Sequence, residues 1–148
     1  MKILVVSDNH GDAKALEEVY KANPKADLYL HCGDSCMDKS ENPGFLVVEG
    51  NCDFDDFPFE YNLPTKWGTI HMEHGDRLLA QNKYYIENLN CFIYLFGHTH
   101  RKYAGKIGDT YVFNPGSLTR PRDGADGSYL IITIDDSTGE LTYEFKSF

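Results

Sequence analysis

The chain has 148 residues, 41% of them hydrophobic, which suits one domain spanning residues 1–148 around one substantial core. It carries 14 Lys and Arg against 23 Asp and Glu, a formal net charge of −9. That balance argues against long nucleic acid as a partner, since holding a phosphate track takes several basic side chains. No stretch is long and apolar enough to span a membrane.

In chain order, Lys2 to Ser7 reads as a parallel strand and Asp12 to Ala22 as a helix. Ala15, Leu16, Val19 and Tyr20 give that helix its apolar face, and Pro24 follows its end. Asp27 to His31 and Phe45 to Glu49 read as further strands, with a loop or one helical turn between Cys36 and Gly44. The strand-helix-strand start implies a crossover in a parallel sheet. Phe59 to Leu63 and Trp67 to Met72 flank Pro64-Thr65-Lys66 and predict a hairpin. Asp76 to Asn88 reads as a helix carrying Leu78, Leu79 and Ile86, with Asp76 as its cap. Phe92 to Phe96 is a buried strand. Tyr103 to Ile107 and Thr110 to Asn114 form a hairpin across Gly108-Asp109, and Tyr129 to Ile134 and Leu141 to Phe145 form another. Parallel and antiparallel pairs are mixed. The expectation is an α/β protein with two packed mixed sheets covered by helices.

Five times an apolar run stops and a His, Asp or Asn stands beside it. The segments are Asp8-Asn9-His10, Gly33-Asp34, Gly50-Asn51, His74-Gly75 and Gly97-His98-Thr99-His100. In open α/β sheets, ligands bind outside the carboxyl ends of the strands. The convergent set is Asp8, His10, Asp34, Asn51, His74, His98 and His100. Oxygen donors mixed with imidazoles suit Mn²⁺, Fe²⁺, Co²⁺, Ni²⁺ or Zn²⁺. Seven ligands are too many for one ion and fit two if a carboxylate bridges them.

This motif series resembles the calcineurin-type metallophosphoesterases, and more narrowly the small YfcE-like phosphodiesterases related to the vacuolar sorting subunit of retromer. The resemblance runs from Met1 to about Arg122 and includes Gly50-Asn51-Cys52-Asp53 and Asn114-Pro115-Gly116-Ser117. It implies an αββα sandwich and a dinuclear centre, with Mn²⁺ as the first expectation. Asp8, His10 and His100 would hold the first ion, Asn51, His74 and His98 the second, and Asp34 would bridge. The implied activity is hydrolysis of a small phosphate ester, a diester first, by a hydroxide shared between ions about 3.5–4 Å apart. The alternative from another class is a non-catalytic metal-binding scaffold of the sorting-subunit type. Two residues depart from the commoner pattern of larger relatives. Cys52 stands where many carry a His that protonates the leaving group, and Asp76 stands where His-Gly-His is frequent, so that Asp76 either caps the helix that follows or alters substrate preference.

The remaining polar residues divide as follows. Asp53 is placed to orient His98 or another ligand, with a plain turn role left open. His31 reads as a core histidine and His71 as structural or exposed. Arg101, Arg120 and Arg122 lie in loops after motif segments, where one could clamp a phosphate and a solvated role is the simpler reading. Cys32, Cys36, Cys52 and Cys91 include no Cys-x-x-Cys, and free thiols are expected. The start Met1-Lys2-Ile3-Leu4-Val5-Val6 lacks a signal-peptide pattern, so the expected location is cytoplasmic. A homo-oligomer stays open.

Overall fold

A computed structural model describes residues 1–77 and 82–148. The elements are β1 (Lys2–Val6), α1 (Ala13–Ala22), β2 (Leu28–His31), β3 (Leu46–Val47), β4 (Glu60–Thr65), β5 (Gly68–Glu73), α2 (Lys83–Leu89), β6 (Ile93–Leu95), β7 (Lys102–Ile107), β8 (Thr110–Pro115), β9 (Ser128–Ile134) and β10 (Leu141–Ser147). One five-stranded sheet runs β10-β9-β1-β2-β3, the other β4-β5-β6-β8-β7. Each is mixed. β1 pairs in parallel with β2, and β6 with both β5 and β8, while the hairpins β4-β5, β7-β8 and β9-β10 are antiparallel.

Alternation along the strands builds three apolar layers. Ile3 and Val5 of β1 point between the sheets, where they join Leu30, Ile70, Met72, Ile93, Leu95, Phe113 and Ile132. Leu4 and Val6 point the other way and pack with Ala15, Leu16 and Val19 of α1. Each fully buried Leu or Val there contributes about 1.5–3 kcal/mol. On the far face, Tyr94, Phe96 and Val112 pack with Ile86 of α2. The order helix, sheet, sheet, helix is the expected αββα sandwich.

Three expectations change in detail. The strand expected over residues 45–49 keeps only the two-residue ladder of β3. Beyond it the Val48 N–H still reaches the His31 carbonyl, but the Glu49 N–H turns to Pro58. The helix expected from Asp76 begins at Lys83, because Asn82 caps it by accepting from the Tyr84 and Tyr85 N–H groups. Asp76 and Arg77 form a turn, so Asp76 does not cap α2, and residues 78–81 of that expected helix, Leu78 and Leu79 included, lie outside the described residues. Pro64 falls inside β4 rather than in the turn, which an edge strand tolerates. Among the described residues no helix is long and apolar enough to cross a membrane.

Candidate metal centre

The two sheets deliver their strand ends to one crevice, and backbone bonds between the loops fix how they meet. After β1 the chain runs beside the loop after β2. The Asp8, His10 and Gly11 N–H groups donate to the carbonyls of Gly33, Asp34 and Ser35. Gly97 after β6 donates its N–H to the His74 carbonyl. The His98 N–H donates to Asp8 Oδ2 at 3.1 Å. Two close approaches require glycine. A Cβ on Gly50 would collide with Asp34, and one on Gly97 with Ser7.

All seven predicted residues face this crevice, in two clusters. The first joins Asp8, His10 and His100. His10 Nε2 lies 3.2 Å from His100 Nε2, and Asp8 Oδ1 lies 3.3 Å from His100 Nε2 and 3.8 Å from His10 Nε2. The second joins Asp34, His74 and His98. Asn51 Oδ1 belongs to it, 2.9 Å from His74 Nε2 and 3.1 Å from His98 Nδ1. Asp34 Oδ2 stands between the clusters, 3.8 Å from His10 Nε2 and 3.4 Å from His74 Nε2. Asp8, Asp34, His74 and His100 are buried, His10 and His98 half-buried, and Asn51 exposed.

These atoms suit metal ions. Asp8 Oδ1 is buried and has no hydrogen-bond partner, a costly state for a carboxylate oxygen unless a cation faces it. The nitrogens converge in two groups, His10 Nε2 with His100 Nε2, and His74 Nε2 with His98 Nδ1 around Asn51 Oδ1. His74 and His100 each donate Nδ1–H to a backbone carbonyl, of Cys32 and Arg120 respectively, both at 2.7 Å. That fixes the tautomer and leaves Nε2 free to coordinate. A tetrahedral ion with metal–nitrogen bonds of about 2.0–2.1 Å needs nitrogens about 3.3 Å apart. The closest pairs, His10 with His100 and His98 with His74, are at 3.2 and 3.3 Å.

The two carboxylates set the protonation of the imidazoles when no ion is bound, and a bound ion would displace those protons. Burial pulls the His74 imidazole down, but its hydrogen bond to Asp34 and the charges of Asp8 and Asp34 outweigh that and raise it to about 9. The Asp8 carboxylate 3.3 Å away raises His100 against its burial. Burial raises Asp34, yet His74 and the Cys52 N–H hold it below the usual carboxylate range. Burial lowers His10 against the pull of Asp8 and Asp34. The positive charges of Arg120 and Arg122 reach His10 and His100 while both side chains stay exposed at the rim.

Neighbouring residues resolve several open readings. Asp53 does not touch His98. Its Oδ2 accepts from the Asp34 and Gly50 N–H groups at 2.9 and 2.7 Å, and its Oδ1 from Cys36 N–H at 2.8 Å, so it splints the two loops that carry Asp34 and Asn51. His31 is a core histidine that donates Nε2–H to Asn9 Oδ1 and accepts from the Gly33 N–H. His71 is buried beside Asn62 and Glu73. Ser7 escaped sequence reasoning. Its hydroxyl donates to Asp8 Oδ2 at 2.6 Å, and a lone Ser before Asp gave no signal. Asn114 Nδ2 donates to the Gly97 carbonyl and Ser117 Oγ to the Asp8 carbonyl, which explains the Asn-Pro-Gly-Ser segment.

The expectation of four free thiols is wrong for two of them. Cys36 and Cys52 form a disulfide, while Cys32 and Cys91 are free and buried. The pairing spans 16 residues and is made where the loops after β2 and β3 meet, with Cα atoms 5.7 Å apart. Nothing local in the sequence marks that meeting.

Two mixed sheets packed face to face, with Asp, Asn and His at their strand ends, define a fold of the metallophosphoesterase class. A model of the calcineurin-like phosphoesterase superfamily domain matches residues 1–137, and the chain belongs to that superfamily. It is similar to the "Probable metallophosphoesterase YsnB" of Bacillus subtilis, at 32% identity over 97% of this chain and 90% of the relative. "Phosphodiesterase YfcE" of Escherichia coli K12 is 24% identical over 91% of this chain and 89% of its own. Among solved structures, a "predicted phosphoesterase" from Streptococcus pneumoniae superposes with a TM-score of 0.87 and 31% identity, covering 99% of this chain and 88% of that one. Zinc-complexed Vps29 of Entamoeba histolytica shares the fold, with a TM-score of 0.71 and 21% identity over 99% of this chain and 98% of its own.

Proposed function

We propose that the protein is a metal-dependent phosphodiesterase that works with two divalent ions, Mn²⁺ first among them. Asp8, His10 and His100 would hold one ion, Asn51, His74 and His98 the other, and Asp34 Oδ2 would join them. The observation that carries this reading is the unpartnered buried Asp8 Oδ1 facing two imidazole nitrogens, with Asp34 Oδ2 within 3.8 Å of one cluster and 3.4 Å of the other. When bound, two such ions supply positive charge to the phosphoryl oxygens and lower the pKa of water.

The chain's own residues do the positioning. Cys32 and Arg120 carbonyls hold His74 and His100 in one tautomer. Ser7 and the His98 N–H hold Asp8 Oδ2, so its other oxygen faces the centre. Asn51 contributes a neutral oxygen, which leaves the site more electrophilic than a third carboxylate would. Arg120 and Arg122 add positive charge at the rim, where an anionic ester approaches. Exposed Asn51 and half-buried His98 leave one side open to a substrate with two ester arms. A relative named as a phosphodiesterase supports the diester choice. Small esters fit better than long nucleic acid, given a net charge of −9. Cytoplasmic residence belongs to the same reading; the free thiols of Cys32 and Cys91 agree with it, and the Cys36–Cys52 disulfide agrees with it only as a redox-active pair.

The test is to strip the protein with a chelator, reload it with Mn²⁺, and follow a bis-aryl phosphodiester alongside metal analysis. Two ions per chain and restored hydrolysis are expected. Two ions without hydrolysis of diester or monoester would favour the scaffold reading, which the shared fold with Vps29 keeps in view.

A further inference from the structure

We propose that Cys36, Cys52 and the Nδ1 of His10 form a separate site for a thiophilic ion such as Zn²⁺, open only when the Cys36–Cys52 disulfide is reduced. His10 has two working ends. Its Nε2 faces Asp8, Asp34 and His100. Its Nδ1 faces the sulfurs of Cys36 at 3.6 Å and Cys52 at 3.7 Å. A metal-bound imidazole normally directs its second nitrogen at a carbonyl or carboxylate, as His74 and His100 do here. His10 directs it at a pair of cysteines.

The distances match an ion in the middle. With Zn–S of about 2.3 Å and Zn–N of about 2.0–2.1 Å, a tetrahedral site puts sulfur and nitrogen about 3.5 Å apart. Both Sγ to Nδ1 separations already have that value within 0.2 Å. Only the sulfurs have to part. The backbones beneath them are fixed independently of the sulfur bond, since the Cys36 N–H donates to Asp53 and the Cys52 N–H to Asp34. Asp53 also binds the Asp34 and Gly50 N–H groups, so both loops stay in register when the bond opens. All three ligand residues are half-buried, within reach of an ion and of a reductant. Two thiolates and an imidazole select soft or borderline ions over Mg²⁺ or Ca²⁺.

The chemistry balances. A cellular dithiol R(SH)₂ attacks the protein disulfide, giving two protein thiols and the cyclic disulfide of R, a transfer of two electrons and two protons. Binding of M²⁺ then releases two protons as both sulfurs coordinate. In a reducing compartment, a disulfide beside a functional site is the kind that cycles.

A consequence for hydrolysis rests on the proposed dinuclear reading. A neutral imidazole has one lone pair and one N–H. If His10 gives its lone pair to a thiophilic ion through Nδ1, Nε2 carries the proton and leaves the first catalytic ion. Filling the new site thus competes with loading the old one.

The experiment is Co²⁺ titration of the full chain, oxidised and after dithiol reduction and desalting. The reduced protein should gain a thiolate-to-cobalt charge-transfer band that saturates at one ion per chain and is displaced by Zn²⁺. The oxidised protein, Cys36→Ser and Cys52→Ser should lack it. Reduced wild-type protein with four titratable thiols and no such band overturns the proposal. A band that persists when both cysteines are changed places the ion on Cys32 or Cys91 and overturns it equally. In parallel, one equivalent of Zn²⁺ should lower Mn²⁺-supported diester hydrolysis about tenfold more in reduced wild type than in reduced Cys36→Ser, where only exchange of Zn²⁺ into the dinuclear centre remains. The band without inhibition refutes the competition for His10. The band in a protein that hydrolyses nothing refutes the proposed function and leaves this site standing.

Discussion

Changing Asp53 to Asn removes one oxygen and adds one amide, and the cost follows from what the two oxygens do. Oδ2 accepts from the Asp34 and Gly50 N–H groups, Oδ1 from the Cys36 N–H and the Ser35 hydroxyl. Either flip of the new amide sets its NH₂ against donors. Facing Oδ2's partners, it strands two backbone N–H groups. Facing the others, it strands the Cys36 N–H, while the Ser35 hydroxyl can rotate away. The second flip is cheaper, and the two bonds it keeps lose their charge. Hydrogen bonds to a charged group contribute about 1.5–3 kcal/mol each. Asp53 is half-exposed, so water relieves part of the loss. We expect a destabilisation of about 2–4 kcal/mol, or about 5–15 °C in Tm for a domain of this size. The loop carrying Asp34 loses its splint, so affinity for metal should fall by about 10–100-fold. Thermal melts of the metal-free protein and competition of bound Mn²⁺ with a chelator read the two effects. Unchanged Tm and unchanged affinity together would refute the assignment of Asp53 as the splint.

Asp34→Ala should reduce bound Mn²⁺ well below two ions per chain and abolish metal-dependent hydrolysis with the far-ultraviolet circular dichroism kept; two ions still bound would remove Asp34 from the bridge. In the oxidised protein residue 52 has no S–H to donate, so general acid help of about 10²–10⁴-fold should be missing there. Aryl diesters should outpace alkyl diesters steeply in a leaving-group series, and a shallow dependence would show another proton donor at work. Burial lowers His31 from 6.5 to about 4, so the folded state keeps it neutral while the unfolded chain protonates it. Its stabilising contribution is therefore complete above pH 6.5 and is lost as pH falls from 6.5 toward 4, by about 3 kcal/mol. Raised His74 works the other way, with its contribution intact below 6.5 and lost as pH rises through 9, so it does not mask this window. Melts of metal-free protein across pH 7 to 4 check it, and a flat Tm would contradict the burial argument.

Much of the architecture was legible because periodicity reports burial directly. Ile3, Leu4, Val5 and Val6 alternate between two apolar layers, and Leu16 and Val19 sit at helical spacing over one of them. The candidate ligands were legible because each ends an apolar run. What escaped depends on contacts between loops far apart in sequence. Asp53 binds Asp34 across 19 residues, and Cys36 meets Cys52 across 16. The helix expected from Asp76 shows a different failure. Its apolar spacing was plausible, yet Asn82 offers the better cap and the helix begins there.

The backbone explains why these residue types stand where they do. Of the seven non-glycine residues with positive φ among those described, five are candidate ligands: Asp8 at 55°, His10 at 42°, Asp34 at 56°, His98 at 66° and His100 at 59°. A left-handed residue just past a strand breaks the strand's alternation between the two faces, so its side chain need not enter either apolar layer. Each such residue costs about 1–2 kcal/mol. Five of them sum to about 5–10 kcal/mol, comparable with the whole stability of a typical domain. The strain is offset locally. The N–H groups of Asp8 and His10 pair with the loop after β2, that of Asp34 with Asp53, and that of His98 with Asp8 itself. Asp, Asn and His are also the residues that best tolerate this conformation. One side chain type thus meets two demands, the turn and the ion, and neither alone would require it five times at the ends of strands from two different sheets.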